Sequence, residues 1–233
     1  MIFVATIIIF LVLFLLYTVI PYILSSWAGF GVYRKGIRTR QIAFTFDDGP
    51  SPTYTNELLD LLNQHQIKAS FFVVGSKAEN YPEIIQRMYR EGHLIGIHNY
   101  VHQSNWFMSP WKVKQGLEKS VQVIENIIGV KPTFYRPPWG VLNLFDFFIH
   151  KKYRIILWSL MVGDWRSKGG SKKIESRLLE RVKPGDIVLL HDCGDTWGAN
   201  EDAPQFTIEA LKRVILELSK QGYTYSRVDE MIQ

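Results

Sequence analysis

One cysteine, Cys193, is all that the 233 residues contain, which excludes a disulfide framework and a cysteine-based zinc site. Lysine and arginine outnumber aspartate and glutamate by 27 to 22, yet nowhere do they form the dense basic run that nucleic acid requires. No repeat and no low-complexity stretch interrupts the chain, and nothing in its composition points to disorder, so one full-sized core is expected. Charge is missing altogether from Ile2 to Leu24. A helix over that stretch would cover about 34 Å, enough for the hydrocarbon core of a bilayer.

Residues 1–24 therefore read as a single-pass anchor in the cell membrane, followed by a basic linker at 25–40 and one catalytic domain at 41–233. A cleaved leader is the competing reading, but no Lys or Arg precedes the apolar run, and the run is longer than an ordinary leader core. Arg34, Lys35, Arg38 and Arg40 follow it. Taken alone, that asymmetry would keep the domain on the cytoplasmic side, against the outside location expected of a wall enzyme, so the side stays open.

From Gln41 onward strand-like and helix-like segments alternate. Strands are expected at 42–46, 69–74, 94–97, 133–135, 154–159, 186–190 and 223–227. Between them apolar residues recur at helical spacing, as in Leu58, Leu59 and Leu62, or Val113, Leu117, Val121 and Ile124. Such alternation predicts an α/β fold: a closed or nearly closed (β/α) barrel with about seven parallel strands. Barrel enzymes carry their chemistry on the loops after the strand ends. Polar residues fall there: Asp47-Asp48, His98, Arg136, Asp164 and His191-Asp192.

The centre of this pattern is Thr45-Phe46-Asp47-Asp48-Gly49-Pro50. Neighbouring carboxylates repel, so two of them stay ionised side by side only near a cation. His98 and His102, four residues apart and expected on one side of a helical turn, add two nitrogens to one carboxylate oxygen, a catalytic zinc ligand set. Asp48, His98 and His102 are assigned as ligands. Zinc is the expected ion, and Co2+, nickel or iron would suit the same donors. Hydrolysis of an amide or ester also needs a base, an oxyanion donor and an acid. Asp47 is the candidate base, Arg136 its orienting cation, and His191 the candidate acid. Either Asp164 or Asp192 could support His191. His65, His93 and His150 read as bystanders.

Five segments together, Thr45 to Pro50, His98 with His102, Arg136-Pro137-Pro138-Trp139-Gly140, Asp164-Trp165, and Ile187 to Asp192, resemble the polysaccharide deacetylases, carbohydrate esterase family 4 with its NodB-homology domain. The resemblance runs from about Gln41 to the C-terminus. It implies a deformed barrel and zinc-dependent removal of N-acetyl groups from amino sugars. By position it implies Asp47 as base, Arg136 orienting it, Asp164 supporting His191 as acid, and the Trp139 peptide N–H as oxyanion donor. Asn99 stands where the family usually has Ser or Thr, and 103–108 departs from common family members. Trp106, Trp139, Trp165 and Trp197 are candidate sugar-stacking walls. The carbohydrate partner would be peptidoglycan, another N-acetylated glycan or a polyprenyl-linked amino sugar. A deformylase or O-acetyl esterase with the same metal site, and a catalytically silent glycan-binding protein, are the alternatives.

Overall fold

The computed structural model describes residues 1–36, 40–149 and 151–232; Arg38 of the expected linker and the bystander His150 lie outside them. Eight strands, all paired parallel, form one sheet: β1 (Gln41–Asp47), β2 (Ser70–Val73), β3 (Leu94–Ile97), β4 (Phe134–Tyr135), β5 (Arg154–Ile155), β6 (Leu160–Met161), β7 (Ile187–His191) and β8 (Thr224–Tyr225). The order is β5-β4-β3-β2-β1-β7-β6, with β8 added beside the start of β1. The barrel is open between β5 and β6.

Every expected strand is present, and β6 is additional. The stretch 154–159 forms strand only at Arg154–Ile155. Beyond it Ile156 bridges to Tyr33 and Leu157 donates to the Tyr33 carbonyl at 2.8 Å. Tyr33 and Lys35 thus lie against the sheet, where Lys35 also ion-pairs with Asp186 at 3.1 Å.

Alternation along β1 divides the core. Ile42, Phe44 and Phe46 enter the large cluster shared with the helices, where Leu58, Leu59, Leu62, Val113, Leu117, Val121 and Ile124 are buried. Ala43, on the other face, joins Phe72, Phe134, Ile156 and Ile187, closed off at the bottom by Val228 and Met231 of a short helix. A period of two sends Thr45 and Asp47 to that inner face as well. The strand that builds the core therefore carries a carboxylate at its C-terminal end.

The N-terminal apolar helix runs from Ile2 to Ala28, long and apolar enough to cross a membrane by length and composition. It contains one π-turn at Leu15–Val19 and ends on Gly29 in the left-handed conformation. The segment expected to be linker from residue 25 is still helix through Ala28, because Ser25 is buried and no Gly or Pro occurs between it and Gly29.

Candidate active site

The C-terminal ends of β1, β3, β4, β6 and β7 bring the polar residues to one end of the barrel. Register does part of the work directly, since Asp47 pairs with His191 across β1 and β7. Backbone geometry does the rest. Asp48, Asn99 and Trp139 all have positive φ (74°, 60° and 56°), a region that non-glycine residues occupy at a cost and that clusters at functional sites. At Gly49 a Cβ would lie 2.3 Å from the Asp192 carboxylate, so only glycine lets the chain pass there.

Asp48 Oδ1 lies 3.2 Å from Nε2 of both His98 and His102. Their ligating atoms all fall within 4.8 Å of one another. Two donors at about 2.0–2.1 Å from a tetrahedral zinc stand roughly 3.3 Å apart, so the spacing fits an ion. His98 Nδ1 is 2.7 Å from the Arg136 carbonyl; donating there, it leaves the Nε2 lone pair facing Asp48. Asp48 Oδ1 is buried without a hydrogen-bond donor, while Thr196 donates to Oδ2 at 2.6 Å. Burial alone would raise the Asp48 carboxyl pKa, but the imidazoles of His102 and His98 beside it and the charge of His191 hold it well below the usual carboxylate range. The donor set fits a divalent metal.

The His98–His102 segment is a bent loop, and the helical turn expected there does not form. Asn99 in the left-handed conformation reverses the chain instead, and the two rings meet with centroids 5.2 Å apart. The Asn99 side chain donates to the Gln103 carbonyl and to Asn105 Oδ1, and accepts from the Tyr135 hydroxyl, so it ties the loop internally.

Asp47 is buried beside this cluster. Its Oδ1 accepts from Arg136 Nη1 at 2.6 Å, and Oδ2 lies 3.9 Å from His98 Nε2. Arg136 is wholly buried, yet its guanidinium donates to Thr45, Asp47 and the carbonyls of Ile156 and Leu157 and lies 4.1 Å over Phe72. Burial draws its pKa down and Asp47 opposes this; a guanidinium so surrounded by acceptors stays charged.

His191 Nδ1 stands 3.1 Å from Asp164 Oδ1, and its peptide N–H donates to Asp164 Oδ2 at 2.7 Å. Burial would lower the imidazole pKa, but Asp164, helped by Asp48 and Asp47, raises it to about 9. Between the two carboxylates left open by the sequence, Asp164 is the one at His191. Asp192 instead accepts from Thr55 beneath Gly49, and burial pushes its pKa up to about 7. Asp164 follows β6 rather than the fifth strand, the physical consequence of the extra strand.

Asp47, Asp48, His98, His102 and His191 line a cavity of about 430 Å3 together with Trp139, Trp165 and Trp197. Trp139 packs on His102 with ring centroids 4.3 Å apart, and Trp165 on His191 at 5.6 Å. Trp106 does not line the cavity; its indole N–H donates to the Leu142 carbonyl. Leu189, from the Ile187 to Asp192 segment, lines it too, as do Trp158, Met161, Thr196 and Tyr22, which no sequence motif marks. Of these only Trp158 carries a signal, its place at the end of a strand candidate. His93 is a structural histidine, accepting from the Ala69 N–H and held by burial at a pKa of about 4. Cys193 sits outside the cavity, where burial raises its thiol to about 11 despite Lys77 at 3.1 Å.

The sequence profile described as Polysaccharide deacetylase matches residues 35–144. A Bacillus cereus peptidoglycan-N-acetylglucosamine deacetylase is 37% identical over 198 residues, covering 82% of this chain and 88% of its own. The chain belongs to the polysaccharide deacetylase family. A peptidoglycan-N-acetylmuramic acid deacetylase of Bacillus subtilis is 30% identical over 86% of this chain and 74% of its own. A solved peptidoglycan N-acetylglucosamine deacetylase superposes with a TM-score of 0.81 at 29% identity, covering 90% of this chain and 96% of that one. Membership assigns this polysaccharide deacetylase to the carbohydrate-deacetylating hydrolases and accounts for the open barrel of parallel strands.

Proposed function

We propose that the chain is a membrane-anchored, metal-dependent deacetylase that hydrolyses N-acetyl groups of amino sugars in peptidoglycan. The observation that carries this reading is one cavity holding an Asp-His-His donor set between an arginine-held carboxylate and an aspartate-held imidazole. The naming of relatives as peptidoglycan deacetylases supports the substrate class.

Asp48, His98 and His102 would hold the metal, zinc by donor type, which supplies Lewis acidity toward the acetyl carbonyl. Asp47 acts as the base. Arg136 occupies one of its oxygens and holds it ionised, leaving Oδ2 to take a proton from the attacking water. The developing oxyanion is held by the Trp139 peptide N–H. His191, charged through Asp164, gives its proton to the departing amine, and the products are acetate and the free amino sugar. Trp139 and Trp165 flank the sugar.

The same machinery would accept formyl or O-acetyl groups, so product analysis is the test. The zinc-loaded full chain in detergent is incubated with N-acetylglucosamine oligomers, peptidoglycan fragments and polyprenyl-linked N-acetylglucosamine. Acetate released from peptidoglycan fragments is expected; formate, or acetate only from the lipid-linked sugar, would overturn the substrate. Peptidoglycan also requires the domain outside the cytoplasm. Arg34, Lys35 and Arg40 each have a partner in the fold, at the Trp158 carbonyl, Asp186 and the Gln221 carbonyl, so their presence has a cause besides topology. A carboxy-terminal reporter active on one side only would report the side, and a cytoplasmic result would remove the peptidoglycan version.

A further inference from the structure

The apolar helix does not stop where the catalytic domain begins. Residues 2–16 are exposed on every face, whereas Thr18, Pro21 and Ser25 are buried. The change coincides with the π-turn at Leu15–Val19. Such a turn inserts one extra residue and re-aims the side chains that follow, and it recurs at functional positions.

Contacts on the covered side are specific. The Tyr17 hydroxyl donates to the Met108 carbonyl at 2.8 Å and accepts from Asn143 Nδ2 at 3.0 Å, while the Leu144 N–H donates to the Tyr17 carbonyl at 2.8 Å. Farther along, the Tyr22 ring meets Trp106 edge-on at 5.6 Å. Tyr22 also lines the cavity that contains Asp47, Asp48, His98, His102 and His191.

The surface that receives the helix is continuous with the loop carrying the two histidines. Asn143 Nδ2 donates to the Asn105 carbonyl, Asn105 donates to the Tyr135 hydroxyl and to Asp146, and Tyr135 donates to Asn99 beside His98. Asn99, Asn105, Tyr135, Asn143 and Asp146 are all buried. A buried network with its donors and acceptors matched fixes one arrangement. Two of its members, Asn99 and Asn105, lie where this sequence departs from the family it resembles, and Tyr135, Asn143 and Asp146 complete it. The exposed residues 2–16 are the part of the helix left for the bilayer, and a helix that served only as a tether would need none of the contacts that Tyr17 and Tyr22 make.

We propose that the C-terminal half of the N-terminal helix is a wall of the active-site cleft, docked through Tyr17, and that Tyr22 contacts a sugar ring of the bound glycan. This rests on the deacetylase reading above. A tyrosine face offers a sugar an apolar platform, and Tyr22 adds to a cavity wall that also contains Trp139, Trp158, Trp165 and Trp197. The cleft is complete only while the helix stays attached.

The test uses the zinc-loaded full chain in detergent, with acetate release measured over a range of N-acetylglucosamine oligomer concentrations. Tyr22→Ala is expected to raise KM about five- to tenfold with kcat kept within about twofold, the size of a lost aromatic contact. Tyr22→Phe is expected to bring KM back, because the ring is the contact. Ile23→Ala, on the exposed flank of the same helix, should leave both constants unchanged. Hydrogen exchange over residues 15–28 reports whether the helix stays docked. Should Tyr22→Ala lose that protection, Tyr22→Leu keeps apolar bulk against Trp106 while removing the ring, and it is expected to raise KM with protection intact. An unchanged KM in the docked variant overturns the proposal. No acetate from the wild-type chain on any glycan would instead overturn the deacetylase reading itself.

Discussion

Asp47 and His98 sit 3.9 Å apart and are assigned opposite tasks, so substituting each should separate chemistry from metal binding. Asp47→Asn keeps the shape and removes the base; it is expected to retain zinc near one per chain while kcat falls at least about a hundredfold. His98→Ala removes a ligand and should lose zinc as well as turnover, read by metal analysis of the purified chain. An active Asp47→Asn would refute the base assignment. Asp164 tunes its neighbour: His191 rises from 6.5 to about 9 chiefly because Asp164 outweighs the effect of burial. The protonated imidazole is the acid, so kcat falls as pH rises through the folded pKa. Asp164→Asn removes the charge and should move that limb to lower pH. The linkage has the same sign for stability: a raised histidine pKa contributes fully below about 6.5, and the contribution is lost as pH rises through about 9. Denaturant midpoints of Asp164→Asn and wild type should therefore differ most at low pH and converge above 9.

At the scale of elements, the turn after β1 decides where the two aspartates go. Gly49 passes against Asp192, whose carboxylate is already held by Thr55 at 2.6 Å. An added methyl must displace that carboxylate or the turn itself. Gly49→Ala is expected to cost about 1–3 kcal/mol and to weaken zinc binding, measured by thermal unfolding with and without the metal. Elements also differ in how legible they are from the amino-acid sequence. The alternation in β1 and the helical spacing of Leu58, Leu59 and Leu62 mark the core, because burial on one face imposes a period that residue types display. β6 follows the strand candidate 154–159 directly, with no Gly or Pro between them, so the sequence pattern does not mark it as a separate strand. The His98–His102 spacing predicts a helical turn, but Asn99 takes a positive φ, a region that Asn tolerates better than most residues, and its side chain is held there by its buried partners Asn105 and Tyr135.

For the whole molecule, a donor set that is assembled only in the folded state links metal to stability. Zinc at a hundred times its dissociation constant should add about 2.7 kcal/mol, a rise of roughly 5–10 °C in Tm for a chain of this size. A chelator should reverse it in wild type and leave His98→Ala unmoved. Sequence by itself determined the parallel α/β barrel, the family, and the strand ends from which the polar residues project, since each of these is written in local periodicity and short motifs. Tertiary structure decided the rest. It seated Asp192 on Thr55 while Asp164 took the place at His191 that the family resemblance implies, withdrew Trp106 from the cavity, supplied Thr196 to Asp48, and laid Tyr17 and Tyr22 of the apolar helix against the catalytic domain. Those are contacts between residues from about 30 to 150 positions apart, and a distance that long along the chain becomes a contact only when the packed core fixes which faces meet.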